Sequence, residues 1–156
     1  MQTRLLTEPK PDFTEEQDFT RIGLLLLATD LTTEHDFCRF FHAPNIRLHT
    51  TRLAYANPVT PDNLRAMTPR LGEAAALLPP DTPLAAVYFA CASGSVVIGD
   101  AAVERAVQQT SPLQQQPHVV TPVTAAQQAL RALKARRISL LTPYTQETSL
   151  PVAQHF

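Results

Sequence analysis

Cys91, Ala92, Ser93, Gly94 and Ser95 form the stretch of this chain whose residue types carry chemistry. They lie between an apolar strand pattern and a helical one, which puts a thiol at the start of a helix. The positive end of the helix dipole lowers a thiol's pKa there and favours the nucleophilic thiolate. The amides of 92–95 and the hydroxyls of Ser93 and Ser95 suit a carboxylate, because the first turn of a helix leaves its N–H groups unpaired. A small, inert core cysteine would fit the same residue types; the strand-to-helix position favours the reactive reading. Cys38 differs: it lies mid-helix among Phe37, Phe40 and Phe41, where core packing is expected. Two cysteines so far apart make neither a disulfide framework nor a zinc pattern. Of the five histidines, His35 and His42 are spaced to share a helix face, but no third ligand accompanies them, and no metal site is expected.

The elements that must position Cys91 follow from hydrophobic patterning. Residues 1–20 read as a polar leader. The apolar run from Ile22 to Ala28 is too short for a buried helix and suits a strand covered on both faces. Thr33 with Asp36 three residues on gives a capping pattern, opening a helix through Phe40 and Phe41. Asn45–Leu53 reads as a second strand. Thr60-Pro61 starts a helix carrying Leu64, Met67, Leu71 and Leu78, with Pro69 expected to kink or split it. Leu84–Ala90 is the third strand and runs into Cys91. Two helical pieces, Ser93–Gly99 and Asp100–Gln109, precede a short strand at Val119-Val120. Thr121-Pro122 opens the next helix, Arg137–Leu141 is a fifth strand, and Thr142-Pro143 opens another helix. Strands alternating with helices predict βαβ units and a parallel sheet, with ligands beyond the carboxyl ends of the strands. The turns at Thr29-Asp30, Cys91–Ser95, Thr121 and Thr142–Tyr144 gather on that edge.

Composition bounds the partners. Hydrophobic residues make up 44% and charged ones 17%, which is globular rather than disordered. A net charge of −1 leaves no electrostatic footprint for nucleic acid or an anionic membrane. No apolar run is long enough to span a bilayer, and the first apolar run lacks the flanks of a signal peptide, so the cytoplasm is the expected compartment. The segment Arg21–Leu25 followed by Thr29-Asp30 is echoed by Arg137–Leu141 followed by Thr142–Tyr144. On that repeat, 21–121 is a first α/β lobe and 122–156 the incomplete start of a second.

Five ordered motifs make the sequence recognisable: Thr29–Glu34, Asn57–Met67, Ala90–Ser95, Thr121–Ala125 and Leu140–Tyr144. Together they resemble the aspartate/glutamate racemase superfamily, on the branch of maleate cis–trans isomerases, arylmalonate decarboxylases and ectoine-utilisation proteins. The resemblance implies flavodoxin-like α/β lobes in a pseudo-symmetric pair, with a cofactor-independent site between them. It implies a cysteine from each lobe, one adding to a double bond or moving an α-proton and the other serving as its partner. Carried over by motif, Cys91 is the first-lobe cysteine, Ala92 and Ser93 bind a substrate carboxylate, and Tyr144 reaches the pocket. The implied ligand is a small carboxylic or amino acid.

Two departures from the family pattern matter. Maleate isomerases place asparagine where this chain has Asp30; an ionised aspartate repels a dicarboxylate, so either the ligand carries an amine or Asp30 is protonated. The family's later segment with a second Cys-Thr motif is absent from 1–156. Two other readings stand beside the enzyme: a catalytically incompetent binding or self-associating module, and a cysteine-dependent acyl transferase, because 90–101 also resembles the nucleophile segment of ketoacyl synthases.

Overall fold

A computed structural model describes residues 19–41, 43–110 and 116–156. Four strands, β1 (Thr20–Leu27), β2 (Ile46–Leu53), β3 (Ala86–Phe89) and β4 (His118–Val120), form one sheet in the order β2-β1-β3-β4. All three pairings are parallel. The central place of β1 follows from its apolar run: Leu24, Leu25 and Leu26 are all fully buried, which only a strand covered on both faces allows.

Alternation sorts the two faces. Leu25, Leu53, Val87 and Phe89 join the main core with Leu64 of α2 (Pro61–Arg65), Leu71 of α3 (Thr68–Ala75), and Val103 and Val107 of α5 (Asp100–Gln108). Tyr88 alternates with Val87 and Phe89 and therefore faces the other way. There it meets Phe37 of α1 (Thr33–Phe40), ring centroids 5.1 Å apart. After β3 comes α4 (Ala92–Ile98), turning into α5 at Gly99, whose φ of 87° lies in the region that favours glycine. Then α6 (Pro122–Ala132) follows β4, and α7 (Gln146–His155) ends the described chain.

The capping chemistry largely works as its residue types require. Thr60 accepts from the Asn63 amide at 3.3 Å and Thr121 from the Thr124 amide at 3.2 Å, each followed by a proline that has no N–H to lose. Pro69 does mark a split: α2 ends at Arg65, and Pro69 sits in the first turn of α3. At α1 the expectation fails. Neither Thr33 nor Asp36 caps it; Asp30 does, accepting from the Thr32 and Thr33 amides.

Two further expectations are corrected. Cys38 is exposed, not packed in a core, because α1 buries only its Phe37 side: Phe40 is 81% exposed. Residues 137–141 form no strand. Their side chains are exposed, and no backbone–backbone hydrogen bond joins 136–144 to any described residue. A strand exists only with a neighbour, and this segment has none there. The following helix begins at Gln146, later than the Thr142-Pro143 signal, and docks on the sheet lobe. Thr148 is fully buried and donates to the Val59 carbonyl at 2.9 Å, and Val152 is buried beside it. The leader and the 111–115 loop lie outside the described residues. Among the described residues, no helix is long and apolar enough to cross a membrane.

Candidate active site

Parallel β1 and β3 are neighbours, paired Leu25 with Phe89, and both end at the same edge of the sheet. Asp30 lies just past the end of β1 and Cys91 just past β3, so the topology brings these two sequence-selected residues to adjacent strand ends. The Cys91 backbone is extended (φ −146°, ψ 100°), and the residue occupies the N-cap of α4, the position that aims its side chain back at the helix amides.

The thiol is held tightly. Its Sγ accepts from the Gly94 amide at 3.3 Å and lies 3.9 Å from the Ser93 hydroxyl. Gly94 is required by this contact, since a Cβ there would come within 2.8 Å of Sγ. Ser95 is not free to bind a ligand: its hydroxyl donates to the Cys91 carbonyl at 2.6 Å. No hydrogen bond to the Ala92 or Ser93 N–H is present among the described residues, which leaves those two amides as donors at the helix start.

Cys91 is only 6% exposed, and this changes its chemistry. Burial pushes the thiol pKa up, and the Gly94 amide and Ser93 hydroxyl oppose that without overcoming it. The expectation of a lowered pKa is therefore corrected: desolvation of the thiolate outweighs its donors.

Asp30 moves the opposite way. Burial works to raise its pKa, but the Thr33 hydroxyl, the Thr33 and Thr32 amides and the Arg52 charge together hold it below the usual carboxylate range. Its Oδ1 accepts both amides, at 2.9 and 3.0 Å, and its Oδ2 accepts the Thr33 hydroxyl at 2.6 Å. Protonation by its surroundings is thus excluded as the answer to its charge; Asp30 is an anion. Arg52, from edge strand β2, braces this loop, donating to the carbonyls of Leu27 (3.2 Å) and Asp30 (2.7 Å) and pairing with Glu34.

Tyr144 is not brought to the other residues. It is half-buried, and its carbonyl accepts from Ser149 at 3.2 Å, but no contact links it to Asp30 or Cys91 among the described residues. A different tyrosine was missed in the sequence. Tyr88 is half-buried, and its phenol is pushed up by burial first and then by the charges of Asp30 and Cys91. Also missed was the rim formed by Thr29, Tyr55 and Asn57, linked through the Tyr55 hydroxyl at 3.4 and 3.0 Å. Alternation could have placed Tyr88 opposite the main core; nothing in the sequence signals the rim. Among the described residues no group of three metal-ligating side chains occurs.

This sheet order, with a cysteine capping the helix after β3, defines an α/β lobe of the aspartate/glutamate racemase superfamily type. The particular likeness is to maleate cis–trans isomerases. The isomerase Iso from Pseudomonas putida S16 superposes with a TM-score of 0.73 at 20% identity, over 88% of this chain and 58% of that one. A cysteine-to-serine variant of the Nocardia farcinica maleate cis–trans isomerase, solved with a covalently bound succinylcysteine intermediate, gives a TM-score of 0.73 at 27% identity, over 86% and 57%. The chain thus spans little more than half the length of the solved proteins it matches. No protein-family model matches it, and no curated protein matches it in sequence.

Proposed function

We propose that this lobe serves a cofactor-independent racemase- or isomerase-type reaction on a small carboxylic or amino acid, with Cys91 as nucleophile or proton acceptor. The observation that carries it is the seat of Cys91: a thiol capping α4 at the carboxyl edge of a maleate-isomerase-like lobe, with the Ala92 and Ser93 amides open beside it. A thiolate placed there adds to an activated double bond or takes an α-proton, and cis–trans isomerisation, racemisation and decarboxylation all pass through a carbanion beside a carboxylate. The open amides suit that carboxylate. Ionised Asp30 disfavours a second one and favours a ligand bearing an ammonium group, as in amino acids and ectoine-derived acids.

Inversion by proton relay needs acids on two faces, and one lobe presents one. Full turnover is therefore expected where a second lobe faces this edge; the chain alone is expected to give slow, Cys91-dependent exchange or adduct formation. The test is incubation with maleate and with amino acids in deuterated water, followed by NMR and protein mass, against Cys91→Ser. Equal behaviour of the variant would remove Cys91 from the mechanism. Rapid multiple turnover by the chain alone would remove the need for two lobes.

A further inference from the structure

We infer that Tyr88 is a further catalytic residue of this edge, the proton donor that answers Cys91 when the thiolate adds to a double bond. The inference rests on the Cys91 reading above and supplies the acid that reading lacks. Tyr88 lies on β3 three residues before Cys91, about 10 Å along the strand, and is paired with Leu24 of β1, the strand that runs on to Asp30. Its side chain leaves the sheet on the face opposite Val87 and Phe89. Phe37 of α1 covers the ring there, one turn past the residues whose amides Asp30 binds. Sheet register and α1 thus place Tyr88 between the two strand ends that carry Asp30 and Cys91.

The phenol feels both charges. It titrates last of the three, so the cost of a third anion falls on it and it stays protonated wherever the thiolate exists. No hydrogen bond to its hydroxyl is present among the described residues, so its proton is not committed elsewhere. Tyr144, the other candidate, has no contact with this group, and Tyr55 donates to Asn57.

The step balances. The Cys91 thiolate forms a C–S bond to the β-carbon of an enoate, and the π pair moves to the α-carbon beside the carboxylate. The Tyr88 O–H breaks as its proton passes to that carbon, a far stronger base than a phenolate. On reversal the phenolate takes the proton back, the C–S bond breaks and the double bond reforms. No proton or electron is consumed overall.

The experiment compares two reagents at Cys91, each read by peptide mass spectrometry in wild type and Tyr88→Phe. Iodoacetamide reacts by displacement and needs no proton; acrylamide adds across a double bond and does. Loss of a positioned acid should slow acrylamide at least about tenfold while iodoacetamide stays within about twofold. An unchanged ratio of the two rates overturns the proposal. A third arm uses maleate: if wild type forms no maleate adduct while the acrylamide ratio still shifts, the substrate reading fails and Tyr88 stands. Should Tyr88→Phe not fold, ultraviolet titration of Tyr88 with Tyr55 and Tyr144 changed to phenylalanine decides. Asp30→Asn and Cys91→Ser should each lower the Tyr88 pKa, and no movement in either overturns the proposal.

Discussion

A thiol that is buried and one that is exposed respond differently to reagent and to pH, and this chain holds one of each. Access should dominate at neutral pH, so iodoacetamide is expected to modify Cys38 well before Cys91; peptide mapping over a time course checks the order. Because burial raises the Cys91 pKa, any Cys91-dependent rate should keep rising with pH past the ordinary thiol value of about 8.5. A plateau below pH 7 would show that its donors win over desolvation. The sign for stability follows. A raised folded pKa means the contribution is whole below the unfolded value and is lost as pH rises toward the folded one, and Cys91→Ser should flatten that alkaline decline. Gly94→Ala puts a methyl 2.8 Å from Sγ and 3.1 Å from Met67 Cε, so overpacking should cost about 1–3 kcal/mol in a denaturant titration.

At the scale of elements, the β1–α1 loop hangs on Arg52. Removing its charge in Arg52→Gln should raise the Asp30 pKa toward the ordinary carboxylate value, read by carbon NMR of the carboxyl, and Arg52→Lys should restore part of the depression. A depressed folded pKa stabilises above the unfolded value and is lost as pH falls through the folded one. The variant should therefore lose its acid-range stability at a higher pH than wild type.

The same elements show how far the sequence could be read. The apolar run of β1 admitted one interpretation, and the hydroxyl–proline starts of α2 and α6 were legible because local chemistry alone makes them. Cys91 was legible from its place between strand and helix, but its pKa was not, because burial is a sum over residues distant in sequence. The fate of Cys38 turned on which side of α1 meets the sheet, a matter of tertiary packing. Arg137–Leu141 had the composition of a strand, and composition cannot supply a partner. Tyr88 looked like core filler, since nothing local shows which charges lie over a strand's far face.

For the whole molecule, Leu133, Ile138, Leu140 and Leu141 are exposed together, beside backbone groups with no backbone partner among the described residues. Such an edge favours pairing with another chain. Sedimentation is expected to show mass rising with concentration, and Leu140→Lys with Leu141→Lys should weaken the rise; a concentration-independent monomer would contradict this. The docking of α7 has a consequence in time. Its hydroxyl bond from Thr148 to Val59 joins positions 89 residues apart, and only Thr148 and Val152 anchor the helix, whereas β1 is buried from Gly23 to Leu26 and held by β2 and β3. Amide hydrogens of α7 should therefore exchange with solvent through a separate, lower-energy opening, while those of β1 wait for the lobe to unfold. Each time α7 lifts, the flank of the helix that Cys91 caps is bared, so the buried thiol meets solvent at the tempo of that opening.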